Sequence, residues 1–176
     1  MKKGGIGGGN TLTGLNFEKS RNLIEIFNKI NGYKVLKAKI GWNIYFKNQL
    51  VANSFKKYEF YKFIENKGVN WKEVLSKRLI PDDTLYVIVN NTLFILELKY
   101  QQVSGSVDEK LQTCDFKRKQ FKKLLSRINI DVEYVYILSD WFRKPEYKDV
   151  LDYIISVGCH YYFNYLPLKK LGLPVS

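Results

Sequence analysis

The chain has 176 residues, 45% of them hydrophobic, a length suited to one domain that buries roughly 70% of the surface its unfolded form exposes. No apolar run approaches the ~20 residues of a membrane span, the start Met1-Lys2-Lys3 lacks the apolar centre of a secretory signal, and Cys114 and Cys159 form no metal-ligand spacing. Lys and Arg number 29 against 17 acids, a net charge of +12, so the expected partner is a polyanion, nucleic acid foremost, in a reducing cytoplasm where both cysteines stay thiols.

The opening Gly4-Gly5-Ile6-Gly7-Gly8-Gly9 has no Gly-Lys-Ser/Thr sequel and no preceding strand, so neither a P-loop nor a dinucleotide site is expected there. Over 13–30, Leu15, Leu23, Ile26, Phe27 and Ile30 share one helical arc that stops at Asn31-Gly32, and Glu18 sits at the rim of that arc. A strand is expected over 33–40, while 41–48 mixes aromatics, Asn and Lys and resists assignment. Residues 56–65 and 71–77 read as short helices parted by Lys67-Gly68. Two apolar runs follow, 84–89 and 92–96, split by Asn90-Asn91. Asn tolerates positive φ, so the pair predicts a tight hairpin in which Val89 faces Thr92, Thr84 faces Glu97 and Asp82 faces Lys99. Residues 100–105 read as loop, and Ser106-Val107-Asp108-Glu109 as a capping box opening one helix of about twenty residues. Its buried stripe is Val107, Leu111, Cys114, Phe121, Leu125 and Ile128. The β-branched and aromatic run 132–138 predicts a strand parallel to the one carrying Glu97, because a strand, a helix and a strand make a crossover. A helix over 145–156 closed by Gly158 and a short strand over 159–163 complete a single domain without repeats.

Alternation along the hairpin puts Asp82, Glu97 and Lys99 on one face and Asp83 on the other, unless a one-residue bulge exchanges the two aspartates. Two carboxylates and an ammonium then meet at the open end of an apolar hairpin. The rest of the inventory narrows the chemistry. A single histidine, His160, excludes a two-histidine phosphodiesterase, and its apolar surroundings predict a packed core residue rather than a base. Oxygen ligands for a hard cation remain. Mg²⁺, with Mn²⁺ as substitute, takes one or two carboxylates plus substrate phosphate, a demand that Asp82 and Glu97 meet, with the Leu98 carbonyl as a third oxygen. A cation would relieve the repulsion between the carboxylates, and Lys99 beside it would orient a water for in-line attack on a phosphodiester.

These residues stand in a recognisable arrangement. Pro81-Asp82 followed by Glu97-Leu98-Lys99 resembles the PD and ExK elements of the PD-(D/E)XK nuclease superfamily, in particular its type II restriction endonuclease-like members. The run from Gln101 to Lys110, with Gly105-Ser106-Val107-Asp108-Glu109 inside it, is similar to a Q…G-[ST]-[VA]-[DE]-E-K run that follows ExK in such enzymes. Asn10-Thr11-Leu12-Thr13-Gly14-Leu15-Asn16-Phe17-Glu18 likewise resembles their T-x-x-G-x-x-F/Y-E start. The resemblance covers about half the chain and implies an α/β fold with an αβββαβ core, a mixed central sheet flanked by helices, and Mg²⁺-dependent hydrolysis of double-stranded DNA. It implies that Asp82 and Glu97 are metal ligands, that Lys99 positions the water, that Glu18 is a second-shell or second-metal carboxylate, and that Gln101 orients water or phosphate if the strand continues. Asp108 and Glu109 are expected to cap a helix, and Lys110 either meets phosphate or is solvated.

Sequence recognition is expected outside that core, within 33–78, where 33–58 carries six lysines and no acid before Glu59. Lys34, Lys37, Lys39 and Lys47 would meet phosphates, with Trp42, Asn43 and Asn48 at the bases. Cutting both strands needs two active sites, hence a homodimer or a partner subunit. A repair, recombination or mobile-element nuclease of the same core, or a catalytically silent DNA-binding module, are the competing functions.

Overall fold

The structure, a computed structural model, describes residues 13–103 and 105–176. The glycine-rich opening, the Asn10-Thr11-Leu12 part of the N-terminal motif, Ser104, and the side chains of Val107 and Asp108 lie outside the described residues. In chain order the elements are β1 (Gly14–Asn16), α1 (Leu23–Asn28), the meander β2 (Tyr33–Lys37), β3 (Trp42–Phe46) and β4 (Gln49–Lys56), then α2 (Tyr58–Asn66). The hairpin β5 (Asp83–Val87) and β6 (Thr92–Lys99) follows, then α3 (Val107–Leu111), α4 (Cys114–Ser126) and β7 (Asp131–Leu138). Helix α5 (Lys148–Ser156) and strands β8 (His160–Phe163) and β9 (Tyr165–Pro167) come last. Strands β2 to β8 lie side by side in that order, antiparallel from β2 to β6 and parallel from β6 to β8, while β1 pairs with β9. The fold is mixed α/β, a mostly antiparallel sheet with helices on its faces. Among the described residues no helix is long and apolar enough to cross a membrane.

Strand alternation divides the core into two layers. Leu93 and Ile95 of β6 join Phe60, Phe121, Leu125 and Tyr134 on the face covered by α2, α4 and α5. Phe94 and Leu96 join Leu15, Phe27, Leu85 and Val135 on the face covered by α1 and the β1–β9 pair. The crossover through α3 and α4 makes β6 and β7 parallel, with Glu97 opposite Tyr136 and Lys99 opposite Leu138.

The hairpin differs from expectation in register. Val87 pairs with Thr92 and Asp83 with Leu96, so the loop is 88–91 rather than two residues. A two-residue turn on Asn90-Asn91 needs positive φ at Asn90, and in a type I′ turn at both residues, whereas only Asn91 has it, at 50°. The Asn90 side-chain amide instead donates to the Leu171 carbonyl at 3.0 Å, while the Asn91 N–H closes a turn on the Ile88 carbonyl at 3.2 Å. The register therefore moves by two residues. Because faces alternate every second residue, every side chain stays on the face assigned to it.

Other segments depart further. The helix expected over 13–30 is confined to Leu23–Asn28, capped by Asn22, whose side chain accepts from the Ile24 N–H at 3.1 Å. Leu15 is buried as that arc required, but in a strand held by a distant partner, with Gly14 opposite Pro167. The unassigned 41–48 is most of a hairpin: Phe46 pairs with Gln49, and Lys47 and Asn48 both have positive φ, the signature of a type I′ turn. The helix expected over 71–77 shrinks to one 3₁₀ turn, Trp71–Glu73. The helix expected after Ser106 is interrupted at Gln112-Thr113, where the Thr113 hydroxyl donates back to the Lys110 carbonyl at 2.7 Å and competes with the helical ladder. Ser106 makes no side-chain cap there, against the expected capping box. His160, expected in the core, is exposed on β8 and lies 3.1 Å from Glu133.

Phe121 anchors α4 in this core layer, meeting Phe60 of α2 edge-on at 5.5 Å between ring centres. Truncating Phe121→Ala should cost about 3–5 kcal/mol through the cavity it leaves. Urea denaturation checks this; a loss under 1 kcal/mol would mean that α4 is not anchored there.

Candidate active site

With Asp83 opposite Leu96, Asp82, the residue just before β5, comes near Glu97 at the open end of the hairpin, where the Glu97 and Lys99 charges and the Leu98 N–H act on it. Glu97 and Lys99 alternate onto the face that α4 covers. Glu97 Oε1 receives Lys99 Nζ at 2.6 Å and Lys117 Nζ at 2.9 Å, and Lys117 also donates to Oε2 at 3.2 Å. The buried Tyr134 hydroxyl, projecting from β7, donates to the same Oε2. Only 12% of the Glu97 side chain is accessible, so its charge is compensated by two ammonium groups and a phenol rather than by water.

Asp82 is the open member. Burial of its inner flank and the neighbouring Glu97 charge push its carboxyl above the ordinary value; Lys99, Lys117 and the Leu98 N–H, which donates to it, act in the opposite sense. Its outer flank is exposed, so solvent screens part of that effect. The Leu98 contact found is thus through its N–H, on the Asp82 side. A carboxylate pair whose mutual repulsion raises one member, with accessible space beside it, is the donor chemistry that suits a hard divalent cation. Among the described residues no three His, Cys, Asp or Glu side chains cluster, so such a cation would complete its shell with water and substrate oxygens.

The structure separates the two aspartates. Asp83 faces the α1 side, paired across the ladder with Lys56, and no bulge interrupts the β5–β6 register. Burial pushes its carboxyl up to about 7 against the relief that Lys56 provides, with Asp82 and Glu59 adding to the rise, and its Oδ1 has no hydrogen-bond partner among the described residues.

The remaining expected residues are not gathered here. Glu18 lies exposed in the turn after β1, its N–H bonded to Asn16 Oδ1 at 2.9 Å, and its charge acts on Tyr100, which packs on the α1 face rather than the Glu97 face. Strand β6 ends at Lys99, so Gln101 does not continue its alternation. Gln101 is buried, with its N–H on Ser139 Oγ at 3.3 Å and its side-chain amide on the Val103 carbonyl. Glu109 and Lys110 are exposed in α3.

The nucleic-acid candidates divide by position. Lys37, Lys39 and Trp42 lie at the end of the sheet where β6 also ends at Lys99; Lys47 and Asn48 form the hairpin tip at the opposite end. Lys34 and Asn43 share the Glu97 face of the sheet, and Asn43 Oδ1 accepts from Asn53 at 2.7 Å. Lys37 ion-pairs with Glu59 at 3.0 Å and stands over the Trp42 ring.

Lys117 and Tyr134 are the site residues that pattern reading missed. A signal existed for Lys117: it falls between Cys114 and Phe121 at helical spacing, a charge on a buried stripe, where a lysine needs a partner.

The Asp83 carboxyl carries a pH prediction. The unfolded group releases its proton near 3.8 and the folded one near 7, so folding takes up a proton between those values and stability falls as pH rises from about 4 to about 7. Asp83→Asn removes that loss; its stability relative to the parent should grow by on the order of a few kcal/mol between pH 4 and pH 8. Denaturation midpoints at pH 4, 6 and 8 check it, and parallel curves for the two proteins would contradict it.

No protein-family model matches the chain, and neither a curated protein nor a solved structure matches it.

Proposed function

We propose that this protein is a Mg²⁺-dependent endodeoxyribonuclease of the PD-(D/E)XK kind, a type II restriction endonuclease or a subunit of one. The observation that carries the reading is the convergence of Asp82, Glu97 and Lys99 on one face at one end of the sheet, beneath a crossover helix. The order of α1, antiparallel strands, α4 and a parallel β7 supports the αβββαβ reading of the core.

Asp82 and Glu97, with the Leu98 carbonyl, would hold the cation, which supplies a more acidic water and neutralises charge on the phosphate. Lys99 Nζ, already fixed at 2.6 Å from Glu97, would hold the attacking water by a hydrogen bond and stabilise the negative charge that grows as it loses a proton. The water oxygen bonds to phosphorus, the bond to the 3′ oxygen breaks, and a 5′-phosphate remains.

The DNA backbone would sit at this end of the sheet. Strands β6, β7 and β8 end here and β3 begins here, and each brings an aromatic ring capped by a cation. Lys37 lies 4.6 Å from the Trp42 ring centre, Arg21 4.2 Å from Tyr100, Lys144 3.1 Å from Trp141 and Arg143 4.1 Å from Phe163. Stacking on rings orients these cations at low entropic cost, and with Lys39 they would meet phosphates on either side of Asp82. Lys34 and Asn43 extend the contact along the sheet face, while Lys47 and Asn48 would reach DNA only beyond the far end. A second copy of the chain would supply the second cut.

Plasmid incubated with the protein and Mg²⁺ tests the reading. Discrete fragments are expected, and Lys99→Ala should lose at least about 10²-fold in cleavage while retaining DNA affinity. Cutting confined to branched or damaged DNA would move the function to repair, and no cutting in Mg²⁺ or Mn²⁺ would refute a nuclease. DNA affinity should fall with salt at a log–log slope steeper than about −4, from five or more neutralised phosphates. A flat salt series would contradict a cation-lined seat.

A further inference from the structure

Lys117 is more than a second lysine near the site. It comes from α4, a different element from the carboxylates, and contacts both oxygens of Glu97, at 2.9 and 3.2 Å. It also acts on Asp82 in the sense that favours the ionised form. An ammonium that serves two carboxylates at once occupies electrostatic ground that a divalent cation would take. Lys99 also favours the ionised form of Asp82, but it is anchored two residues from Glu97 on the same strand and meets Glu97 at Oε1 alone. The Lys117 side chain is 28% accessible, against 17% for Lys99, so it has solvent to move into. Helix α4 fixes its base through Phe121, one turn away and buried.

We propose that Lys117 is a built-in counter-cation. It neutralises the carboxylate pair while no divalent ion is held, gives up Glu97 when one binds, and then offers its ammonium to the substrate phosphate. This inference rests on the cation-site reading of Asp82 and Glu97. It makes the ion and the DNA cooperative: displacing Lys117 from Glu97 opposes ion binding in the free protein, and a phosphate that receives the ammonium removes that opposition. By linkage, the factor by which DNA raises ion affinity equals the factor by which the ion raises DNA affinity.

The test is Mn²⁺ binding to the DNA-free protein, followed by calorimetry and by the rise in melting temperature that the ion confers. Lys117→Met should bind Mn²⁺ about tenfold or more tightly than the parent, since the competing charge is gone. Lys117→Arg, which keeps a cation, should stay within about threefold of the parent, and Lys117→Gln should follow Met, so the comparison survives if one variant folds poorly. The Met variant should also cleave DNA more slowly at saturating Mg²⁺ despite its tighter ion, an inverse relation that a merely structural lysine would not produce. Equal or weaker Mn²⁺ binding by Met and Gln variants, with the parent binding normally, overturns the counter-cation role and leaves the cation site intact. Absence of Mn²⁺ binding in parent and variants alike overturns both.

Discussion

A carboxylate withdrawn from water at the end of a strand has to be answered by charge or by hydrogen-bond donors, and Glu97 is answered by both. Three elements contribute: Lys99 from its own strand, Lys117 from the crossover helix and Tyr134 from the parallel strand beside it. Removing any one leaves part of a buried anion uncompensated, a loss that in buried pairs is larger than the net contribution of the interaction itself. The site and the local fold are therefore one object. The crossover places α4 over the face on which Glu97 stands, and the anion fixes where on that face α4 must present a lysine.

The same constraint explains why Asp82 and Asp83, adjacent in sequence, behave differently. Asp82 shares the compensated face and has an open flank, so its raised carboxyl can be relieved by something arriving from solvent. Asp83 is turned into the α1 side, where burial dominates and Lys56 opposes it only in part. One keeps a flank open to solvent beside Glu97, and the other stores a pH-dependent cost to stability. Alternation along a single strand separates them.

What sequence reading could reach follows from how local each signal is. The common face of Asp82, Glu97 and Lys99 depends on parity alone, so it survived a hairpin register wrong by two residues. The parallel pairing of β6 with β7 followed from the handedness and length of a crossover, again a general rule. The N-terminal segment failed for the opposite reason. Leu15 and Leu23 fit one helical arc, yet β1 is held by β9 some 150 residues away, a partner no local pattern reveals. Lys47-Asn48 hid a type I′ turn because neither residue is glycine, and their value as phosphate and base contacts drew attention from their positive φ. Lys117 escaped pattern reading because its contact with Glu97 exists only once the crossover has closed.

The most direct measurement is a crystal grown or soaked with manganese and examined for anomalous scattering. A single manganese peak between the side chains of Asp82 and Glu97, with the Lys117 ammonium drawn away from Glu97, is the expected result. Density showing both lysines still bound to Glu97 and no manganese within reach of either carboxylate, at concentrations that saturate the protein with DNA, would contradict the cation site on which the proposed chemistry depends.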